Sequence, residues 1–317
     1  MPDLALASLA YEALRLVWFP WQRERRLERE QERIRIARSC NRTLAAGHGY
    51  HSLAIRPDGS IACWGRNDLG QAPPDGVDGD FIQVAAGGFH SIALRSDGSI
   101  ACWGTNADGQ APPDGVEGDF VAIDAGRWFS LALRRDGSIA CWGDNHQAPP
   151  AGVDGDFVAI AAGVSHTMAL RRDGSIAFWG NNRFGQAPPN GVDGDFVAIA
   201  AGAFHSLAIR RNGSIACWGS NEFGEALPAG VDGDFVAIAV GYQYSLALRS
   251  DGNVACWGNN GNGQAPPAGV DGNFVAIAAG DSHSLALRRD GSVACWGHNR
   301  DGQAPPEGVD GPFKHDV

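Results

Sequence analysis

The sequence predicts an all-β protein, a seven-bladed β-propeller that follows an amino-terminal helical extension. The first observation is a unit of about 39 residues, written seven times between about Arg42 and Pro312. The second is that no helical periodicity occurs inside the units, and the third is that the first 40 residues belong to no repeat. A fixed period of this size means that each unit buries its apolar surface only by stacking on its neighbours. The aromatic residue that opens the units recurs at Phe81, Phe120, Phe157, Phe196, Phe235 and Phe274, and starts again at Phe313.

Each unit contains short apolar segments separated by turn residues, as residues 81–119 illustrate. Phe81 to Ala86 and His90 to Leu94 are predicted to form two strands, and Ser99 to Trp103 a third. Asp97-Gly98 supplies a hairpin turn between the second and third strands, because these residues tolerate positive φ. Gln110 to Pro113 is expected to be a short, irregular fourth edge, since proline cannot donate to a β-ladder.

Large and small side chains alternate along the second strand of each unit, which suits sheets that pack face to face on two neighbours. Seven such sheets predict a closed ring. The last segment, 312–317, is too short for a blade, and the first unit begins with Asn41 to Leu44 instead of an aromatic strand. Because an open ring would leave unpaired edges, both ends of the chain are expected to meet in the first blade.

The extension, residues 1–40, is predicted to form two helices. Residues 4–19 form an apolar helix with a narrow polar stripe at Ser8, Glu12 and Arg15. A Trp-Phe-Pro-Trp run ends it, and residues 22–38 form a charged helix in which acids and arginines alternate. The domains are therefore 1–40, the extension, and 41–317, the propeller.

The apolar helix is too short and too charged for a transmembrane span, and it lacks the features of a signal peptide. It is also too apolar to remain exposed to water. Three roles stay open: a docking helix for a partner protein, an in-plane membrane anchor, or a lid on its own propeller. The predicted docking residues are Leu6, Leu9, Leu14, Val17, Trp18 and Trp21.

Charge and cysteine usage limit the possible partners and compartments. The formal net charge is −11, with +2 on residues 1–40 and −13 on the propeller. An acidic ring repels a phosphate backbone, so no nucleic-acid partner is expected. Six of the seven cysteines occupy one equivalent strand position, which Phe178 fills in the fourth unit. Free, packed thiols suit a reducing compartment, so we expect a cytoplasmic protein, associated with a membrane if the apolar helix is an anchor.

No arrangement of residues predicts catalysis or a cofactor. His-Ser pairs such as His90-Ser91 recur, but adjacent strand residues point to opposite faces and cannot form a dyad. Phe129 and Tyr244 replace the histidine in two units, which indicates packing. The repeated Asp-Gly-Asp lacks the further oxygen ligands of a calcium loop, and turn formation explains it. The sequence has no phosphate-binding loop. We therefore expect a non-enzyme with no catalytic residues, no metal and no cofactor.

The units differ from one another mainly at two places, the pair of residues before the His-Ser strand and the residues after Trp-Gly. Both places lie at the end of a predicted hairpin opposite its Asp-Gly turn, so they share one face of the ring. We call this the variable face, and the face with the Asp-Gly turns the turn face. Aromatic residues and arginines are typical of protein interfaces, although loop tips also vary without a function. The predicted partner-binding residues are Tyr50, Arg66, Phe89, Arg127, Trp128, Arg183, Phe184, Phe204, Phe223 and Tyr242.

One run of residues also carries a resemblance to a known family. Ala-Gly-x-x-His-Ser-Leu-Ala-Leu-x-x-Asp-Gly-x-x-x-x-Trp-Gly-x-Asn-x-x-Gly-Gln resembles the repeat of the RCC1 (regulator of chromosome condensation) family, closest to its compact bacterial form. The resemblance covers roughly 270 of the 317 residues and implies a seven-bladed propeller. Members of the family include a nucleotide exchange factor for a small GTPase, protein inhibitors of secreted enzymes, and scaffolds, so the fold leaves the function open.

The expected function is that of a non-catalytic interaction or scaffold subunit, which binds a partner protein through the variable face and docks through its amino-terminal helix. A guanine-nucleotide exchange factor or a protein inhibitor of an enzyme are the alternatives. Exchange-factor relatives use an insertion as a wedge, whereas the spacing here is 37 to 39 residues and the largest insertion is about one residue, His48. The lack of a secretion signal argues against an extracellular enzyme as the target.

Overall fold

The structure, a computed structural model, describes residues 42–144 and 152–315, together with Glu28 and Gln31. The predicted helices 4–19 and 22–38 lie outside these residues apart from Glu28 and Gln31, which are helical and exposed. Within the described part of the chain, no helix has the length and apolar character needed to cross a membrane.

Seven three-stranded antiparallel sheets form the seven blades of a propeller, each built from three consecutive strands. The first strands of the blades line a central channel. They are β1 (Leu44–Ala46), β4 (Phe81–Ala86), β7 (Phe120–Ala125), β10 (Phe157–Ala162), β13 (Phe196–Ala201), β16 (Phe235–Val240) and β19 (Phe274–Ala279). The middle strands are β2 (His51–Ile55), β5 (His90–Arg95), β8 (Phe129–Arg134), β11 (His166–Arg171), β14 (His205–Arg210), β17 (Tyr244–Arg249) and β20 (His283–Arg288). The outer strands are β3 (Ile61–Gly65), β6 (Ile100–Gly104), β9 (Ile139–Gly143), β12 (Ile176–Gly180), β15 (Ile215–Gly219), β18 (Val254–Gly258) and β21 (Val293–Gly297).

The apolar core lies between neighbouring blades. Ile92 and Leu94 of blade two, for example, pack against Phe120 and Ile123 of blade three, and all four side chains are buried. Burying a side chain of this size is worth about 1.5–3 kcal/mol, and no blade could achieve this burial alone. The repeat in the sequence is therefore a repeat of the interface between blades.

The predicted fourth edge at Gln110 to Pro113 is wrong. That segment turns, and the outer strand instead forms a single bridge further on, where Ile100 and Val116 exchange two backbone hydrogen bonds of 2.9 Å. The prolines lack the donor that a ladder needs, so pairing begins only after they have reversed the chain. The corresponding residue of each blade makes the same bridge: Val77, Val116, Val153, Val192, Val231, Val270 and Val309.

Both ends of the described chain complete blade one, as expected. Ile55 donates its backbone N–H to the Thr43 carbonyl at 2.9 Å and accepts the Lys314 N–H at 2.8 Å. Phe313 is buried in the cluster that contains Leu44 and Leu285, in the place that the opening phenylalanine takes in other blades. Blade one is therefore completed from both ends of the described chain, with β1 from the amino-terminal side and Phe313 in the position of the opening phenylalanine.

The recurrent histidines and serines join neighbouring blades. His51 Nε2 lies 2.9 Å from Ser91 Oγ in the next blade, and Ser91 Oγ donates to the Gln71 carbonyl at 2.8 Å. Because the serine hydrogen is used in this way, the histidine must be the donor. The same pair recurs for His90–Ser130, His166–Ser206, His205–Ser245 and His283–Ser52. The conclusion that adjacent His-Ser pairs are not catalytic dyads agrees with this geometry, but the hydrogen bonds between blades were not predicted.

The glycine before each of these histidines is required by the packing of the ring. A Cβ atom on Gly87 would lie 2.3 Å from Cε1 of His90, far inside contact distance. In blade six Tyr244 takes the place of the histidine, and its hydroxyl donates to the His283 carbonyl at 2.5 Å. In the motif Ala-Gly-x-x-His, the glycine is therefore needed because the side-chain ring packs directly against its backbone.

Candidate functional site

The two variable positions of each blade lie side by side, as the hairpin predicted. In blade two the residue after Trp-Gly, Thr105, donates its backbone N–H to the carbonyl of Phe89 at 2.9 Å. The equivalent bond joins Arg66 to Tyr50 and Asp144 to Trp128, also at 2.9 Å. The Asp-Gly turns lie at the other end of the same strands. The variable face is therefore one continuous end of the ring.

One group of side chains on this face alternates arginine and aromatic rings across blades one to three. The Arg66 guanidinium lies 5.6 Å from the ring centre of Phe89, whose ring lies 4.9 Å from that of Trp128. Arg127 covers Trp128 at 5.7 Å. All four side chains are half-buried. We call this group the arginine-capped cluster, in which cation–π contacts occupy ring faces that would otherwise meet solvent.

Asp68 fixes the position of the Arg66 guanidinium in this cluster. Its two carboxylate oxygens accept hydrogen bonds from Arg66 at 2.8 and 2.5 Å. These bonds hold the pKa of the Asp68 carboxyl below its ordinary value. A bidentate pair is more specific in direction than a single contact, so Arg66 is held over Phe89.

A second group extends across blades four to six. Phe204 lies 5.2 Å from Phe184 on one side and 5.0 Å from Tyr242 on the other, both with rings edge to face. Phe184 is 43% exposed and Phe223, on the neighbouring loop, is 48% exposed. Arg183 contacts Phe184 at 6.0 Å from the ring centre. We call Phe184, Phe204, Phe223 and Tyr242 the open aromatic cluster, because it leaves apolar area in contact with water.

Tyr50 lies beside the arginine-capped cluster, at the junction of blades seven and one, where it lines one cavity with Arg66 and His298. Its φ of 63° is the only positive φ of a non-glycine residue in the described part of the chain. Blade one contains one extra residue, His48, whose Nδ1 is 2.8 Å from an oxygen of Asp281. The Tyr50 ring lies 5.4 Å from that of His298. Such backbone conformations are unfavourable and cluster at functional sites.

The ten predicted partner-binding residues therefore all lie on the variable face: eight in these two clusters, Arg183 against Phe184, and Tyr50 at the junction of blades seven and one. Sequence reasoning missed His298 and the pair of His48 with Asp281, for which the single insertion in blade one was the available signal. His146, at a variable position in blade three, lies outside the described residues, as do the docking residues Leu6, Leu9, Leu14, Val17, Trp18 and Trp21.

The titratable groups inside the ring are poorly suited to chemistry. Burial lowers the pKa of His51 and His205 to about 3 and that of His90, His166 and His283 to about 4. Burial raises the pKa of the Cys63 thiol to about 12, so it is not a ready nucleophile. In residues 42–144 and 152–315, no three histidine, cysteine, aspartate or glutamate side chains are grouped to hold a metal ion.

Comparison with known families gives one match that covers most of the propeller. The sequence profile described as "Regulator of chromosome condensation (RCC1) repeat" matches seven segments of the chain. Each segment begins within a few residues of the first strand of a blade and ends after its outer strand. The matched residues are 42–71, 81–110, 120–147, 157–186, 196–225, 235–264 and 274–303.

Solved structures support the same architecture. The CRINKLY WD40 ectodomain of the Arabidopsis thaliana receptor kinase ACR4 superimposes with a TM-score of 0.67 and 22% identity, over 84% of this chain and 98% of that one. Prp20p from Saccharomyces cerevisiae, described with its binding to Gsp1p and histones, gives 0.65 and 20%, over 80% and 83%. Human WBSCR16 gives 0.66 and 19%, over 77% and 85%. A search of curated proteins by sequence finds no match.

Proposed function

Because this chain belongs to the family of regulator of chromosome condensation (RCC1) repeat proteins, we propose that it is a non-catalytic interaction subunit that binds a partner protein through the variable face. Prp20p, which shares the fold, is described with its binding to Gsp1p and histones. The buried, neutral histidines and the high-pKa thiols support a non-catalytic role. Free thiols in the ring favour a reducing compartment, which supports the proposal of a cytoplasmic protein.

The open aromatic cluster is the observation that carries this proposal. Phe184 and Phe223 each expose nearly half of a large apolar side chain, and Phe204 and Tyr242 extend the same area across three blades. Monomeric proteins seldom leave such contiguous apolar area in water unless it binds something. Aromatic residues and arginine are also the residue types that contribute most to protein interfaces.

Replacing Phe184 and Phe223 by alanine is expected to weaken partner binding by about 2 kcal/mol or more, because interface aromatics are often hot spots. Stability should change much less than for a buried phenylalanine, since nearly half of each residue is exposed. The measurement is affinity purification of the tagged full-length chain, with quantification of the bound protein and then its dissociation constant.

The matched control lies on the turn face, where Arg135 and Arg172 form exposed ion pairs with Asp119 and Asp156. Exposed pairs contribute little, so Arg135→Ala with Arg172→Ala should leave both binding and stability nearly unchanged. Equal loss of binding from the two double variants would show that the variable face is not the binding surface.

The amino-terminal extension is proposed as a second attachment point. Thr43 pairs with Ile55, directly before the turn at Arg56 to Gly59, so the described part of the propeller begins beside the turn face. A partner or membrane held by residues 4–21 would then leave the variable face accessible, whereas a lid would cover part of the ring itself.

The double substitution Leu9→Asp with Leu14→Asp is expected to release whatever residues 4–19 bind, since burying one leucine is worth about 1.5–3 kcal/mol. Loss of a co-purifying protein would identify a docking helix, and loss of liposome binding an anchor. A lower unfolding midpoint with neither loss would identify a lid. If all three measurements match the unchanged chain, the extension has no docking role.

A further inference from the structure

The lining of the central channel is polar on one side and apolar on the other. The channel encloses about 220 Å³ and is lined by the first strands of all seven blades. Blades four to seven contribute only alanine, valine and isoleucine residues to this lining. The polar side chains, in contrast, come from blades one to three: Arg42, His48, Gln83 and Asp124. An apolar cavity with a few polar groups on one side is the usual form of a small-molecule site, although this one is smaller than the ~300–1,000 Å³ of drug-sized sites.

Asp124 is the single acidic residue of this lining. It pairs with Leu131 in the same register in which Ala85 pairs with Ile92 in blade two. The other six blades have alanine at this position: Ala45, Ala85, Ala161, Ala200, Ala239 and Ala278. Six blades form with alanine at this position, so folding of the ring does not require a carboxylate at it.

The carboxylate of Asp124 is held in place by two backbone donors. Its oxygens accept hydrogen bonds from the N–H of Ala125 at 2.9 Å and from the N–H of Ala162, in the next blade, at 2.8 Å. No cationic side chain among the described residues forms an ion pair with it. An ionised carboxylate has about four acceptor positions, so two remain for a ligand.

The charged and polar neighbours do not supply the missing cation. Arg42 also lines the channel but forms no ion pair with Asp124. His48 acts on the charge of Asp124, but its Nδ1 is already paired with Asp281. Gln83 carries no charge and is bound to the strand of blade three: its Nε2 donates to the Ile123 carbonyl at 2.7 Å and its Oε1 accepts the Ile123 N–H at 3.2 Å. Burial raises the pKa of Asp124 to about 6, against the hydrogen bonds from Ala162 and Ala125, which lower it.

We infer that the channel binds a small aliphatic ammonium ion, with its charged group on Asp124 and its hydrocarbon part against the apolar strands of blades four to seven. An ammonium group supplies both the positive charge and the hydrogen-bond donors that the free positions of the carboxylate require. The wall opposite removes the hydrocarbon from water. This site is formed mainly by the first strands and not by the loops of the variable face, and the inference does not depend on the identity of the protein partner.

The test measures calorimetric binding of n-butylammonium to the full-length chain, with n-butanol as the neutral probe of similar size. We expect saturable binding of n-butylammonium, and binding of n-butanol weaker by at least about tenfold. Asp124→Ala, which installs the residue of the other blades, should reduce n-butylammonium binding by a similar factor. Asp108→Ala, which removes an exposed carboxylate on a loop, should have no effect.

A second variant tests the position of the charge. Adding Ala161→Asp to Asp124→Ala moves the carboxylate to the equivalent place in blade four, and this change should restore preference for n-butylammonium over n-butanol. Equal binding of the two probes would show an apolar cavity only. No saturable binding at millimolar concentrations, or equal binding by the unchanged chain and Asp124→Ala, would show that Asp124 only bridges blades three and four. Each of these results would overturn the inference.

Discussion

Acidification from about pH 7 to about pH 4 is expected to destabilise this protein steeply, because five buried histidines are neutral in the folded chain. Burial lowers their pKa values from 6.5 to about 3 or about 4. Nε2 of each histidine already donates to a serine, and Nδ1 has no hydrogen-bond partner among the described residues. A proton on Nδ1 would therefore place an uncompensated charge between two blades.

Acid lowers the stability because the unfolded chain takes up more protons than the folded chain. Between the folded pKa values and 6.5 the unfolded chain binds protons that the folded chain does not, so stability falls as the pH falls. Each such proton contributes about 1.4 kcal/mol per pH unit. Asp124 acts in the opposite direction, because its folded pKa is raised from 3.8 to about 6 and it takes up a proton in the folded chain first. The net uptake on unfolding near pH 5 is therefore about four protons.

Urea unfolding at a series of pH values measures this slope. The matched variant is His90→Phe, because blade three already has Phe129 at this position, packed over Gly126. This substitution should reduce the pH slope by about one proton while the variant remains folded at neutral pH. A slope of zero in the unchanged chain, or the same slope in His90→Phe, would contradict the account of buried neutral histidines.

The blades were predictable because each strand, turn and glycine is set by residues close in sequence and repeated seven times. Asp97-Gly98 and its equivalents specify the hairpins, and the alternation along β5 specifies packing on two sides. The error at Gln110 to Pro113 arose because two prolines were taken as an irregular strand, whereas the ring uses them to reverse the chain before the bridge at Val116.

The contacts between blades were less accessible from the sequence. His51 and Ser91 are 40 residues apart, and only the curvature of the ring brings them together. The signal existed, since most units carry a histidine and a serine or threonine next to each other, but the partner of each histidine lies in the following unit. The face of the aromatic residues was likewise predictable from hairpin geometry. Their division into two clusters was not, because ring contacts such as that of Phe184 with Phe204 depend on loop conformations that no short-range pattern specifies.

Deletion of residues 312–317 is expected to cause the largest loss of stability of any short truncation. It removes Phe313, which is buried against Leu285 and Leu44, and the hydrogen bond from Lys314 to Ile55. Truncating a buried phenylalanine typically costs about 3–5 kcal/mol, which is a large part of the ~5–15 kcal/mol of a whole domain. The deletion also leaves the middle strand of blade one without part of its neighbour, which exposes a strand edge.

Three chains compared by urea unfolding isolate the effect of closure: the full chain, a chain ending at His315, and a chain ending at Gly311. The chain ending at His315 retains Phe313 and the Lys314 hydrogen bond, so its unfolding midpoint should match that of the full chain. The chain ending at Gly311 should unfold at a much lower urea concentration, and Phe313→Ala should account for most of that change. Blade seven needs Phe313 because Leu285 and Leu287 would otherwise face water at the one interface that the repeat alone does not complete. An unchanged midpoint in the chain ending at Gly311 would mean that Leu44 to Ala46 close the ring without the carboxy-terminal segment.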